Sequence, residues 1–348
     1  MRKFEGFMRG INLGGWLSQC DETTKAYFDS FITEGDLKRI ADMGFDHVRL
    51  PVDYMYLEDE TGTPLEEGFQ YIDRCVAWAK DNALHVLIDL HKTYGYSFDP
   101  LDRDMDREAF FHDERLQERF FRLWERIASR YAADAQAGTV AFELLNEIVS
   151  LNVVAEWNDV AGRAIKRLRA ITPTARIVVG GVCYNSVTSV PLLDPPADEN
   201  VVYNFHCYEP IVFTHQKAYW VDDMPKDRTV YYPDSLTNYR KMSDCLPPEL
   251  AGAVNMEGIP EIIDPAFFEK LFACAIEAAE KNNAPLYCGE YGVIDMAPAP
   301  DAIRWYADIN RVFEKYGIGR AMWTYRKKDY GLMDAHYDGV REELVKVL

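Results

Sequence analysis

Residues 140–147 have the sequence VAFELLNE, a short apolar run that ends in the polar pair Asn146 and Glu147. Longer segments with helical periodicity flank this run at residues 114–132 and 155–171. In the first of them, the apolar residues at helical spacing are Phe120, Phe121, Trp124, Ile127 and Ala128. A strand between two long helices is typical of a parallel sheet, in which a crossover helix follows each strand.

The same alternation extends through most of the chain. Eight such runs are predicted strands, at residues 8–12, 47–50, 85–90, 140–144, 177–180, 201–206, 286–290 and 320–323. Further helical patterns occur at residues 35–43, 68–82 and 265–282. Eight strand–helix units predict an α/β protein with a (β/α)8 TIM barrel, and a length of 348 residues suits one catalytic domain over residues 1–348. A doubly wound open sheet remains the alternative architecture.

One interval does not fit the alternation. Residues 209–265 lack clean periodicity, are rich in proline, and separate the sixth strand from the helix that follows it. Their aromatic residues include Phe213, Tyr219, Trp220, Tyr231, Tyr232 and Tyr239. We therefore expect a small, ordered insertion subdomain over the active-site cleft rather than a flexible surface loop. A second long loop, at residues 92–113, follows the third strand.

The chain is acidic, with 38 Lys and Arg against 57 Asp and Glu and a formal net charge of −19. Such a charge repels nucleic acids and anionic membranes, whereas a neutral substrate is indifferent to it. The sequence also contains no apolar run long enough to span a bilayer. We therefore expect no nucleic-acid or membrane partner, and we expect a monomer.

The seven cysteines are odd in number and none form a CxxC pair. This pattern argues against a disulfide framework or a zinc ribbon and favours a reducing compartment. The first residues, MRKFEGFMRGINLGGW, lack the apolar core of a signal peptide. The sequence as it stands predicts a cytoplasmic protein, or a secreted one if a signal has been removed.

The residues at the predicted strand ends are candidates for an active site, because catalytic side chains of β/α barrels lie at the carboxyl ends of the strands. These residues are Asn12, Arg49, His91, Asn146, Glu147, His206, Tyr208, Glu290 and Trp323. Each alone has an ordinary structural explanation, such as a buried hydrogen bond or an ion pair. Their convergence on one rim indicates an active site.

Two glutamates dominate this set. Glu147 and Glu290 follow strands four and seven, so they face each other across the predicted barrel mouth. Glycoside hydrolysis needs such a pair, with carboxyl groups ~5–5.5 Å apart in retaining enzymes and ~6.5–9.5 Å apart in inverting ones. Arg49 and the Tyr208 hydroxyl are candidates to donate to Glu290 and keep it ionised as the nucleophile. Glu147, close to a second carboxylate, would keep its proton and act as the acid.

The other strand-end residues are candidates for binding the sugar. Asn146 is predicted to hold the sugar 2-hydroxyl, and Trp323 is predicted to form the platform under the ring. His91 and His206 are predicted to bind hydroxyls or to orient Glu147. This chemistry needs neither a metal ion nor a cofactor.

At these positions the chain resembles glycoside hydrolase family 5, the family of cellulases and related β-glycanases. The likeness runs from about residue 8 to the C-terminus, and its segments are RGINLGGW (9–16), VRLP (48–51), DLH (89–91), LNE (145–147), FHCY (205–208), GEYG (289–292) and Trp323. Within the family the chain is most similar to the endoglucanase C type of clostridial cellulase. That type also carries an insertion after strand six.

The resemblance implies a (β/α)8 barrel and a metal-free, retaining double displacement, with Glu147 as acid/base and Glu290 as nucleophile. It implies substrate-binding or supporting roles for Arg49, His91, Asn146, His206, Tyr208 and Trp323. The expected substrates are β-1,4-glucans, such as cellulose and cello-oligosaccharides, or mixed-linkage β-1,3-1,4-glucans, cut endo-wise. One departure is Lys92, where relatives often have a second histidine, and the loop at residues 93–113 also looks longer. Subsite preferences therefore do not carry over from relatives.

Other interpretations remain open. The same mechanism could serve β-1,3-glucan, mannan or xyloglucan, and the Gly-Gly-Trp opening is shared with exo-acting β-1,3-glucanases. A non-catalytic sugar-binding barrel would be expected to lose a catalytic glutamate, and both are present. A metal-dependent barrel hydrolase needs paired metal ligands, which the seven histidines do not form. The turn at residues 10–15 is not GxGxxG, which argues against a dinucleotide site.

Overall fold

The computed structural model of the chain describes residues 1–102 and 106–348. Its eight strands are all parallel and pair in sequence order, and the last strand pairs with the first to close a barrel. The strands are β1 (Gly10–Asn12), β2 (His47–Asp53), β3 (His85–Lys92), β4 (Val140–Glu143), β5 (Arg176–Gly180), β6 (Val201–Cys207), β7 (Leu286–Tyr291) and β8 (Gly319–Met322). The predicted TIM barrel is confirmed, and the open-sheet alternative is wrong.

The strand ends differ from the prediction most clearly in β2. The sequence predicted a strand at residues 47–50 with Arg49 near its end, but β2 continues to Asp53. The prediction stopped before Pro51, because proline cannot donate a hydrogen bond to a ladder. Pro51 nevertheless pairs in register with Asp89 of β3. Arg49 therefore lies inside the strand, and its side chain is buried.

The helices surround the barrel. In the described ranges they are α1 (Lys25–Phe31), α2 (Glu34–Asp42), α3 (Glu66–Asp81), α4 (Ala109–His112), α5 (Glu114–Arg130), α6 (Ala132–Gln136), α7 (Val154–Ile171), α8 (Ile211–Thr214), α9 (Leu236–Ser243), α10 (Pro248–Asn255), α11 (Pro265–Lys281), α12 (Ala299–Tyr316) and α13 (Arg341–Val347). Helix α5 begins after Asp113, whose side chain accepts from the Arg115 N–H, and it buries the predicted apolar face. Within these ranges no helix has the length and apolar character that crossing a membrane requires.

One crossover lacks an α-helix. Between β5 and β6, where every residue is described, the chain forms a 3₁₀ helix at Val187–Leu192. This segment contains Pro191, which cannot supply the N–H that a longer helix would need. Helix α11 packs against it. The prediction of eight strand–helix units is therefore wrong at this one position.

The barrel interior is built in two layers. The lower layer is apolar and contains Phe4, Phe7, Leu87, Ala141, Val178, Val202, Tyr287 and Ala321. The upper layer, towards the carboxyl ends of the strands, is polar and buried, and it contains Asn12, Arg49, Asp89, Glu143, Asn204 and Glu290. Buried polar groups destabilise a fold unless they are paired. The polar side chains of the upper layer therefore need hydrogen-bond or ion-pair partners.

Residues 209–265 contain the short helices α8, α9 and α10. Several of their aromatic side chains are buried, including those of Phe213, Tyr232 and Tyr239. The Tyr232 hydroxyl donates to Asp308 at 2.8 Å, and the Tyr232 N–H donates to Asp301 at 3.0 Å, so this segment is attached to α12. The predicted second loop spans residues 92–113, of which 103–105 lie outside the described residues.

Candidate active site

Arg49 lies at the centre of the polar layer and is fully buried. Its guanidinium is paired with Asn12 (2.9 Å), Asp89 (3.0 Å), Glu143 (2.7 and 2.9 Å), Asn146 (2.8 Å) and Glu290 (2.8 Å). The planar fork of donors in arginine suits this arrangement, because it can serve several oxygens in fixed directions. We call this group of side chains the Arg49 network.

We predict that Arg49→Met destabilises the protein by ~3–5 kcal/mol, because it leaves buried carboxylates without their cation. Asp89 and Glu143 are both fully buried and would be the most affected. Chemical denaturation of the two proteins measures the difference in the free energy of unfolding. Arg74→Met, at an exposed ion pair with Asp29, is the matched control and should change that free energy little. If Arg49→Met lowers the free energy of unfolding no more than Arg74→Met does, the Arg49 network does not stabilise the fold as proposed.

Glu290 of β7 is held by two donors. Arg49 Nη1 donates to its Oε1 at 2.8 Å, and the Tyr208 hydroxyl donates to its Oε2 at 2.9 Å. Burial raises the pKa of Glu290, while Arg49, His91 and the hydrogen bond from Tyr208 lower it. Both donors stabilise the ionised form of the carboxyl group, which is the form that a nucleophile requires.

Glu147 lies beyond the end of β4, and its environment favours the protonated form. Burial raises its pKa well above the usual range, and the nearby charge of Glu290 raises it further. Its Oε1 lies 2.8 Å from Nδ1 of His206. Burial lowers the pKa of His206 well below its usual value, so this imidazole is neutral. A protonated carboxyl group beside a neutral imidazole is the state expected of a general acid.

The two carboxyl groups are close together. One oxygen of Glu147 and one of Glu290 lie within 4.8 Å of each other. This spacing is near the ~5–5.5 Å of retaining glycosidases and well below the ~6.5–9.5 Å of inverting enzymes, which must fit a water molecule between the carboxylate and the sugar.

The same three groups would also suit a cation by geometry alone. Glu147, His206 and Glu290 present one oxygen or nitrogen atom each, all within 4.8 Å of one another. A metal ion there would compete with Arg49 and Tyr208 for the Glu290 oxygens. Arg49 already supplies a positive charge at hydrogen-bond distance from Glu290.

His91 and Trp323 form one wall of the site. The His91 ring lies parallel to the Trp323 ring, with centroids 5.8 Å apart and an interplanar angle of 3°. His91 Nδ1 is 2.6 Å from Asp89 Oδ2, so of the two predicted histidines it is His206 that contacts Glu147. Trp323 is the first residue after β8, whereas the prediction made it the last residue of that strand.

Asn146 has a free donor in the site. Its side-chain oxygen accepts from Arg49, and its buried Nδ2 has no hydrogen-bond partner within the described residues. A buried amide N–H without a partner usually marks a position that a ligand or water fills. This amide therefore has a donor available for a sugar hydroxyl.

Asp89, Glu143 and Asn204 also belong to the site, although they were not predicted from the sequence. Asn204 donates to Glu143 at 2.9 Å and accepts from the Gly289 N–H at 2.8 Å, so it joins the Arg49 network to β7. A signal was present, because each of these polar residues interrupts an apolar strand at an inward-facing position. A charged residue in the middle of a buried strand needs a partner, and Arg49 was the available cation.

A closed β/α barrel with two carboxyl groups facing each other at the carboxyl ends of its strands has the architecture of a glycoside hydrolase. The sequence pattern of the Cellulase family, glycosyl hydrolase family 5, matches residues 8–329. The chain belongs to this family and is a glycoside hydrolase. The predicted family is confirmed.

Two relatives match this chain over nearly its whole length. Cellodextrinase A of Ruminococcus flavefaciens is 42% identical over 327 residues, which are 94% of this chain and 88% of that protein. Endoglucanase C of Acetivibrio thermocellus is 39% identical over 345 residues, which are 98% of each chain. The predicted likeness to the endoglucanase C type is therefore confirmed as well.

Solved structures share the fold. The clostridial cellulose synthase subunit Z of Clostridioides difficile has a TM-score of 0.76 and 25% identity, covering 98% of this chain and 99% of that one. Cel5A of Thermotoga maritima, in a complex with mannotriose, has a TM-score of 0.76 and 24% identity over the full length of both chains.

Proposed function

We propose that this protein is a retaining, endo-acting β-1,4-glucanase in which Glu290 is the nucleophile and Glu147 is the acid/base. The observation that carries the proposal is the placement of two carboxyl groups within 4.8 Å of each other in different environments. One receives hydrogen bonds from a cation and a phenol, and the other lies beside a neutral imidazole. Family membership supports the same assignment.

The first chemical step forms a covalent intermediate. A Glu290 oxygen attacks the anomeric carbon while the bond from that carbon to the glycosidic oxygen breaks. Glu147 transfers its proton to the departing oxygen, which leaves as an alcohol. Arg49 and Tyr208 keep Glu290 ionised and oriented for the attack. The product is a glycosyl ester of Glu290.

The second step reverses these roles. Glu147, now a carboxylate, removes a proton from water, and the water oxygen attacks the anomeric carbon as the ester bond breaks. Glu290 leaves as a carboxylate and Glu147 is protonated again. The sugar therefore keeps its anomeric configuration. Asn146 supplies an amide donor for the sugar 2-hydroxyl, and Trp323 supplies an aromatic face for the ring.

The substrate proposal comes from the relatives. They are named as a cellodextrinase and an endoglucanase, so we propose that cello-oligosaccharides, cellulose or mixed-linkage β-glucan are the substrates. The insertion at residues 209–265 supports a role in binding the glucan. Its Trp220 and Ala218 pack with Tyr330 and Trp323 at the rim of the site. We propose that this segment is a subdomain that forms part of the cleft and that the protein acts as a monomer.

A substrate panel tests this proposal. Carboxymethyl cellulose and barley β-glucan should be hydrolysed faster than laminarin, glucomannan or xyloglucan. A mixture of oligosaccharide lengths at early times indicates endo action, whereas a single short product indicates exo action. Activity should persist after chelation with EDTA. Loss of activity on chelation, or preference for mannan, would contradict the proposal.

We predict a bell-shaped dependence of kcat/KM on pH. Activity falls as the pH drops through the pKa of Glu290, because the protonated carboxyl group cannot attack. It also falls as the pH rises through the pKa of Glu147, because the ionised group cannot donate a proton. Burial raises both pKa values, so both limbs lie above the usual carboxyl range. The two apparent values belong to the interacting pair.

Glu290→Gln tests the coupling between the two groups. The variant removes the negative charge that raises the pKa of Glu147, so Glu147 should titrate at lower pH. Carbon-13 NMR of labelled glutamate carboxyl groups measures this titration without requiring activity. An unchanged titration of Glu147 would show that the two carboxyl groups do not interact.

A further inference from the structure

Tyr96, in the loop after β3, contacts the backbone of the segment that carries Glu147. Its hydroxyl donates to the carbonyl oxygen of Glu147 at 2.6 Å and accepts from the N–H of Val149 at 2.9 Å. The Tyr96 ring is buried against the rings of Phe110 and Phe111. One phenol therefore connects two backbone groups on either side of residue 148.

This segment needs an external support, because β4 ends before it. The strand stops at Glu143, and beyond it the Asn146 N–H still donates to Leu90 of β3 at 3.1 Å. The carbonyl of Ile148 accepts from the Tyr184 N–H at 3.0 Å on the opposite side. The backbone at Glu147 thus lies outside the regular ladder, and hydrogen bonds at Asn146 and Ile148 hold it on either side.

Tyr96 is itself held firmly. Its backbone N–H and carbonyl exchange hydrogen bonds with Thr93 at 2.9 and 3.2 Å. Farther along the same loop, Asp99 and Asp102 pair with the buried ammonium of Lys92, the last residue of β3, at 3.1 and 2.9 Å. Burial raises the pKa of Tyr96, so its hydroxyl stays protonated and keeps both roles, as donor and as acceptor.

The segment that carries Glu147 has a second attachment, at Ser150. The Ser150 hydroxyl donates to Glu108 Oε1 at 2.5 Å, and Glu108 belongs to the same connection between β3 and α5. The segment from Glu147 to Ser150 is therefore fastened to this connection at two points.

We propose that Tyr96 is a positioning residue for the acid/base carboxyl group, and that the loop after β3 sets the geometry of proton transfer. This inference rests on the proposed role of Glu147. A misplacement of ~1 Å in a catalytic group costs ~10²-fold in rate. Removing the hydroxyl therefore impairs the proton transfers by Glu147 and leaves the attack by Glu290 intact.

Tyr96→Phe tests this proposal, because it removes only the hydroxyl oxygen. With cellotetraose, kcat/KM should fall ~10–100-fold, which is part of the ~10²–10⁴-fold that general acid catalysis supplies. With 2,4-dinitrophenyl β-cellobioside, kcat/KM should be nearly unchanged, since its leaving group needs no proton. For this second substrate kcat should fall, and azide should restore it, because azide attacks the glycosyl-enzyme without a general base.

Tyr203→Phe is the matched control. The Tyr203 hydroxyl is also buried in part, donates to the Asp194 carbonyl at 2.9 Å and accepts from Asn282 at 3.0 Å, at the opposite end of the barrel. Tyr203→Phe should make the protein less stable, and any change in kcat/KM should be the same for both substrates. If Tyr96→Phe lowers kcat/KM equally for both substrates, or for neither, Tyr96 has a structural role only and the proposal is wrong.

Glu147→Ala, assayed in parallel, separates failure of this inference from failure of the proposed function. If the loss of kcat/KM depends on the leaving group in Glu147→Ala but not in Tyr96→Phe, only the inference about Tyr96 is wrong. If the loss does not depend on the leaving group in Glu147→Ala either, the assigned role of Glu147 is wrong as well. If Tyr96→Phe does not fold, as judged by circular dichroism, Ser150→Ala loosens the same segment. Ser150→Ala should lower kcat/KM for cellotetraose less than Tyr96→Phe does and leave it nearly unchanged for the dinitrophenyl substrate. An equal fall in kcat/KM for both substrates in Ser150→Ala would overturn the proposal.

Discussion

Glu290→Ala is expected to lower turnover of β-glucan by ~10⁵–10⁶-fold, which is the order of loss when a covalent nucleophile is removed. Without this carboxylate no glycosyl ester forms, although Arg49 and Tyr208 remain in place. The measurement is the initial rate of reducing-sugar release from barley β-glucan. Glu314→Ala, on the outer side of α12 with its side chain 70% exposed, is the control and should keep full activity.

Azide gives this prediction a stereochemical outcome. It should enter the space left by the Glu290 side chain and attack 2,4-dinitrophenyl β-cellobioside directly. The product is then the α-glycosyl azide, in which the anomeric configuration is inverted. Proton NMR of the product distinguishes the two anomers. Near-normal activity of Glu290→Ala on glucan, or a β-glycosyl azide from it, would falsify the nucleophile assignment.

Glu147→Ala is expected to lower kcat/KM by ~10²–10⁴-fold on substrates with poor leaving groups, which is the usual contribution of general acid catalysis. The first step on dinitrophenyl cellobioside should suffer much less, because dinitrophenolate leaves without protonation. The dependence of kcat/KM on the pKa of the leaving group measures the difference. The basic limb of the pH profile should also disappear, because that limb reports the ionisation of Glu147.

Azide again separates the two roles. In Glu147→Ala it should attack the glycosyl ester of Glu290 and give the β-glycosyl azide, with the configuration retained. The two glutamate variants therefore give opposite anomers from one substrate. Equal loss of kcat/KM on good and poor leaving groups, with no azide product, would rule out Glu147 as the acid/base.

Most of the barrel could be predicted from the sequence because its strands are short apolar runs separated by long amphipathic helices. The local pattern in residues 140–147, with a polar pair directly after an apolar run, was enough to locate Glu147 at the barrel mouth. The crossover at Val187–Leu192 was not predicted, because a 3₁₀ helix that contains proline leaves no periodic signal. The end of β2 was missed for a related reason, since Pro51 suggested an end where the chain continues.

The supporting residues of the site were harder to predict than the reacting ones. Glu147 and Glu290 follow from their positions on opposite strands, whereas the role of Asp89 depends on its distance from Arg49. Tyr96 is harder still, because its hydroxyl bonds to backbone groups 51 and 53 residues away in the chain. A backbone carbonyl or N–H is the same for nearly every residue type, so the sequence does not mark which residues are its partners.

The Arg49 network constrains how this protein can change over generations. Its members come from several different strands, and each is buried among the others. A replacement at Glu143 removes the acceptor of Arg49 Nε and one of the acceptors of Nη2, and a replacement at Arg49 leaves several carboxylates without their cation. Single substitutions within the network are therefore expected to destabilise the fold. The segment at residues 209–265 contributes no member to the Arg49 network, so its sequence can change without leaving a charge of that network unpaired.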